Sequence, residues 1–125
     1  MSLLVDIGTL LTGINSNIYY NDLPDTPDNC LALFFSGGQP SVHNMNQQAP
    51  TLEKPTFQVR IRNTSCATAT TQAEAIKDVL NGKTGTTINS TLYEAIYLQG
   101  DIFNIGRDER ERTNLTVNFV AWVRR

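Results

Sequence analysis

At 125 residues and 13.9 kDa the chain has room for one domain, expected to span 1–125, with a core that removes roughly two-thirds of its unfolded surface from water. Ten Lys and Arg against twelve Asp and Glu leave a formal charge of −2 and a pI near 5.2, without the basic excess that a phosphate-binding surface requires. No apolar run is long enough for a membrane span, and the N-terminus lacks the basic start of a signal peptide, so a small, soluble, intracellularly made single domain is expected.

Leu3, Leu4, Ile7, Leu10, Leu11 and Ile14 recur at steps of three and four, which predicts an amphipathic helix over 2–15 with Ser2 as its cap and Asp6 on its polar side. Gly8 and Gly13 each cost about 1 kcal/mol of helix propensity relative to Ala, so tertiary packing must hold it. Ile18-Tyr19-Tyr20 reads as a short strand, and 21–29 as turn-forming chain. The run from Cys30 to Phe35 is apolar on both faces, as in a strand covered on two sides. A long polar loop is expected over 37–55, and a loop of that length in a compact domain is usually functional or disordered. Gly37, Gly38, His43, Asn46, Gln47 and Gln48 are its candidate partner-contacting residues.

Phe57, Val59 and Ile61 alternate with Gln58, Arg60 and Arg62, a half-buried strand. A second helix puts Ala69, Ala73, Ile76 and Leu80 on one face. It starts near Ala67, or at Thr71 if Thr71 and Glu74 form a capping box, and it stops at Asn81-Gly82. Strands follow over 92–98, after a tight turn at Gly100-Asp101 over 102–105, and over 115–123. The order α-β-β-β-α-β-β-β predicts an α+β fold with a mostly antiparallel or mixed sheet of five to six strands and two helices.

Motifs for chemistry are sparse. Gly82-Lys83-Thr84 lacks the earlier glycine of a phosphate loop and follows a helix rather than a strand. Asp22, Asp25 and Asp28 lack the spacing of a calcium loop and read as turn residues. His43 has no nucleophile motif around it and no metal-like partners, and Asp108 and Glu109 sit in a charge run rather than across a cleft. Cys30 and Cys66 are two cysteines in a chain that needs no staple, so no disulfide is expected, and Cys30 should behave as a small buried hydrophobe. Sequons at Asn63, Asn89 and Asn114 mean little without secretion. The reading is therefore of a non-enzyme with no cofactor and no metal.

The run Arg107, Asp108, Glu109, Arg110, Glu111, Arg112 alternates in sign between two predicted strands. It fits either a solvated hairpin, with surface ion pairs worth at most about 1 kcal/mol each, or a register device between identical subunits.

The stretch Phe103-Asn104-Ile105-Gly106-Arg107-Asp108-Glu109, followed by Val117-Asn118-Phe119, resembles the small bacteriophage tail terminator proteins, often labelled minor capsid proteins. The amphipathic first helix, the 57–62 strand and the Ala-rich helix ending at Leu80 agree in order with that family. The resemblance implies a structural virion protein of a long-tailed phage, made in the host cytoplasm. It implies a homo-oligomeric ring, six-membered in the family, which caps the tail tube, ends its polymerisation and offers a docking surface to the head connector. The implied partners are further copies of the chain, the tail tube protein and the connector or neck protein, with DNA passing through the lumen without specific binding and no membrane contact. A ring requires heterologous contacts, and a sheet with apolar residues on both faces supplies two different patches for them. Another head–tail connector component is the alternative within viruses, and a small cytoplasmic ligand-binding domain is the alternative outside them.

Overall fold

A computed structural model describes residues 3–15, 17–24, 28–42, 52–88, 91–109 and 111–124. Its elements run α1 (Leu3–Leu11), β1 (Ile18–Tyr20), β2 (Cys30–Val42), β3 (Leu52–Asn63), α2 (Cys66–Leu80), β4 (Lys83–Ile88), β5 (Thr91–Leu98), β6 (Phe103–Arg107) and β7 (Thr113–Arg124). The fold is α+β, as the order of periodicities predicts. The strands form one mixed sheet in the order β1-β2-β3-β7-β5-β4, with β6 on β7 beside β5; β1 pairs parallel to β2 and every other pair is antiparallel.

Both helices pack on one face of this sheet. Leu3, Ile7 and Leu11 of α1, with Ala69, Ala73, Ile76 and Leu80 of α2, meet Leu31, Leu33, Phe57, Val59, Ile61, Val117 and Phe119 in one apolar cluster. Phe57 and Phe119 are opposite one another in the β3–β7 ladder, and their rings stack with centroids 5.4 Å apart. No described helix or strand packs over the other face, although Pro24 and Asp28 close one end of it over Arg62 and Arg112.

Several boundaries differ from the sequence reading. α1 ends at Leu11 because Ile14 and Asn15 donate backward to the Leu11 carbonyl and close the helix there. Asp6 lies inside rather than on the polar side: it is fully buried, and its Oδ2 accepts the Tyr93 hydroxyl at 2.5 Å. Gly8 leaves room for Tyr20, whose ring carbons would be 3.0 Å from any Cβ placed there. α2 begins at Cys66, and Ser65 is its cap, accepting the Thr68 amide, so Thr71 and Glu74 are not a capping box.

The expected 37–55 loop is much shorter. β2 continues through Gly37 and Gly38 to Val42, and β3 begins at Leu52, so only part of that segment falls between strands. Glycines, Pro40 and polar residues hid the strand because β2 passes two register irregularities there, where a glycine with φ +94° at Gly37 takes a conformation unfavourable to other residues.

β4 is the seventh strand, where the sequence shows only the end of a helix. Asn81 closes α2, Gly82 turns at φ +79° and donates to the Ile96 carbonyl, and the chain enters the sheet at once. Its pattern, Lys83-Thr84-Gly85-Thr86-Thr87-Ile88, buries only Ile88 and so has no hydrophobic alternation. The three threonines were its one sequence signal.

The turn expected at Gly100-Asp101 does not make a hairpin. β5 and β6 both pair antiparallel to the same edge of β7, β5 against 119–123 and β6 against 113–116, so the chain jogs at Gly100 and continues in the same direction.

Candidate interaction surface

Among the described residues no group of three or more His, Cys, Asp or Glu is placed to hold a metal ion. Cys30 is free and buried, and burial pushes its thiol up; Cys66 is free and exposed. Of the three aspartates in the turn-rich segment, Asp28 is an ion-pair partner, and Asp25 lies outside the described residues. Asn63 and Asn114 are buried at strand ends, where Asn63 accepts the Ser65 amide and Asn114 donates to the Arg112 carbonyl.

The charge run is the β6–β7 hairpin. Arg107 pairs with Thr113, and Asp108 closes the turn by donating its amide to the Arg112 carbonyl and accepting the Arg112 amide on Oδ1. Glu111 turns the chain at φ +59°. Arg112 points into the protein, only 4% exposed. Its Nε donates to Asp108 Oδ2 at 2.8 Å and its NH1 to Asp28 Oδ1 at 3.2 Å. Beside it Arg62, also buried, donates to the carbonyls of Pro24 and Asp28. The two arginines clamp Pro24 and Asp28, between β1 and β2, and the hairpin to one end of the sheet.

This exceeds the surface-pair value expected for the run. Removing a fully buried ion-pair member costs about 3–5 kcal/mol, but Asp28 and Asp108 are partly exposed and regain water. Arg112→Ala should therefore lower stability by about 1–3 kcal/mol, read as a drop in the urea midpoint, whereas a change within about 0.3 kcal/mol would show that the clamp carries nothing. Arg107, Glu109 and Glu111 remain exposed, and Arg110 lies outside the described residues. Of the partner-contact residues, Gly37 and Gly38 lie in β2, while His43, Asn46, Gln47 and Gln48 lie outside the described residues.

The sequence reading expected an apolar second sheet face without naming the residues that the structure gathers there. Register places on it Phe34 of β2, Lys54, Gln58 and Arg60 of β3, Asn118 and Trp122 of β7, Tyr97 of β5 and Phe103 of β6. Phe103 is 65% and Tyr97 42% exposed. Cations interleave with the rings: Lys54 Nζ stands 4.8 Å above Trp122, and the Arg60 guanidinium 5.7 Å from the Phe34 ring. The carboxylate at its rim, Glu94, is paired with Arg124 at 2.5 Å. The signal was present in Val120 and Trp122, which carry apolar surface onto the second face of the last strand.

Three comparisons bear on this geometry. A family model described as bacteriophage tail terminator protein matches residues 4–123. Among solved structures, the chain is similar to one from the virion of a native gene transfer agent particle, with TM-score 0.68 and 15% identity over 98% of this chain and 95% of that one. A second solved chain, carrying no functional description, matches with TM-score 0.62 and 9% identity over 99% of this chain and 92% of that one. At those identities the structural likenesses show the fold. No curated protein matches.

Proposed function

The chain belongs to the bacteriophage tail terminator family, and we propose on that premise that it forms a six-membered ring which caps the tail tube, stops its growth and presents the surface to which the head attaches. The observation that carries this reading is the family match, which spans 4–123. The geometry supports it. One side of the sheet is closed by two helices and the other is open and rich in aromatic rings, so a subunit has two unlike sides, as heterologous closure requires.

In this reading the protein is a non-enzymatic component of the virion, at the head-proximal end of the tail. Its partners are its own copies, the tail tube protein and the connector. Arg107, Glu109, Arg110 and Glu111 at the hairpin tip contact a neighbouring subunit, while Asp108 and Arg112 act within the chain. Gly37 and Gly38, with the segment carrying His43, Asn46, Gln47 and Gln48, face the tube or connector. DNA crosses the lumen without specific contacts.

Electron microscopy of particles assembled without this protein tests the reading. Tails of uncontrolled length, with heads unattached, are expected. Tails of normal length beside unjoined heads would assign the protein to the neck instead.

A further inference from the structure

We propose that the ring is closed by Arg60 on the open sheet face of one copy seating against Glu74 and Asp78 on α2 of the next, an inference that rests on the ring reading above. Four observations converge on it.

Arg60 lies on this face toward the Asn63 end of β3, in the row Ala32–Arg60–Thr116–Phe103 that crosses four strands and in which Ala32 and Thr116 are buried. Its Nε is buried without a hydrogen-bond partner among the described residues, while its guanidinium lies beside Phe34. The residue as a whole is partly exposed, so a carboxylate from outside meets a guanidinium already held in place by its ring contact and loses less to side-chain ordering.

The acceptors are on the opposite side of the molecule. Glu74 and Asp78 are both exposed, one turn apart on α2. Like charges at that spacing repel, and both lie in the C-terminal half of the helix, where the macrodipole disfavours negative charge. The helix has one lysine, Lys77, and it is committed to Asp101 at 2.8 Å, which holds the Asp101 carboxyl below its usual range. The charge of Lys77 also reaches Glu74 and Asp78, so in an isolated subunit these two acids share one lysine with Asp101, a deficit that a neighbour's guanidinium would relieve.

The rest of the two surfaces also fits. N-terminal to the acids α2 exposes Cys66, Ala67, Thr68, Thr70 and Thr71, of which Ala67, Thr70 and Thr71 share the helix face of Glu74. Both threonine hydroxyls turn back to helix carbonyls, Thr70 to Cys66 at 2.9 Å and Thr71 to Ala67 at 3.0 Å. What they present outward is methyl surface, on which the rings of Phe34 and Phe103 find an apolar bed. Finally, the sites lie on opposite layers of one subunit, so repeating the contact adds copies in one rotational sense instead of closing a two-fold dimer.

The test is a charge exchange in the full chain, read as the amount of protein retained on purified tail tubes and as the ring seen there by electron microscopy. Arg60→Glu and, separately, Glu74→Lys with Asp78→Lys should each reduce assembly by about tenfold or more. The combined variant restores opposite charges across the contact and should recover most of the loss, which two independent folding defects would not do. Circular dichroism checks each fold. If Arg60→Glu does not fold, Arg60→Gln supplies the same direction of change with a smaller loss. Undiminished rings from both reversals, or no recovery in a folded combined variant, would overturn this contact while the ring stands. Wild-type protein bound to tail ends as single copies would overturn the ring and the contact together. Retention of double-stranded DNA by the wild type, lost in Arg60→Glu with assembly intact, would assign Arg60 to nucleic acid instead.

Discussion

Phe119→Ala should remove about 3–5 kcal/mol of stability, a large share of the 5–15 kcal/mol typical of a folded domain. Phe119 is fully buried in β7, opposite Phe57 of β3 on one side and Leu98 of β5 on the other, so the cavity would open where three strands meet. Its ring lies nearly parallel to Phe57, with an interplanar angle of 19°, under the two helices. A close-packed β-sheet backbone cannot collapse into the space, and the loss therefore includes the cavity as well as the lost transfer energy. Urea unfolding should show a lower midpoint with an unchanged slope. A loss under about 1 kcal/mol would mean the site is not packed as described.

Tyr93→Phe should cost about 1.5–3 kcal/mol at neutral pH, because it deletes a hydrogen bond to a buried carboxylate while leaving the ring in place. Tyr93 on β5 and Asp6 on α1 are 87 residues apart and both fully buried, and this bond pins the N-terminal helix to the sheet. Burial, then the hydrogen bond to Asp6 and its charge, pushes the Tyr93 hydroxyl far above the ordinary tyrosine value of 10.0. The sign of the pH effect follows. Above pH 10 the unfolded chain releases the Tyr93 proton while the folded chain keeps it, so stability is complete below pH 10 and falls as pH rises beyond it. The slope reaches about 1.4 kcal/mol per pH unit for this one group. Tyr93→Phe should therefore start lower and decline less steeply between pH 10 and 12. Parallel alkaline limbs for wild type and variant would show that Tyr93 ionises as readily folded as unfolded.

The elements with a clear hydrophobic period were legible from residue spacing. Leu3, Ile7 and Leu11 define α1, Ala69 to Leu80 define α2, and Phe57, Val59 and Ile61 define the core side of β3, each because burial on one face imposes its own period. The motif around Phe103 to Glu109 pointed to the tail terminator family, to which the chain belongs. Charge balance and the poverty of catalytic motifs were likewise plain in composition.

Three-dimensional neighbours decided the rest. β4 and the outer half of β2 are strands by pairing, since backbone hydrogen bonds to β5 and β3 do not require apolar side chains. Asp6 reads as a surface residue until Tyr93 arrives from the far end of the chain. Arg112 looks like one of six solvated charges until Asp28 and Asp108 surround it. The membership of the candidate surface was undecided for the same reason: Phe34, Arg60 and Phe103 lie far apart in the chain, and only the sheet register gathers them on one face. Local periodicity reports which side of an element is buried, whereas the identity of what meets it depends on contacts between distant segments, which no local pattern encodes.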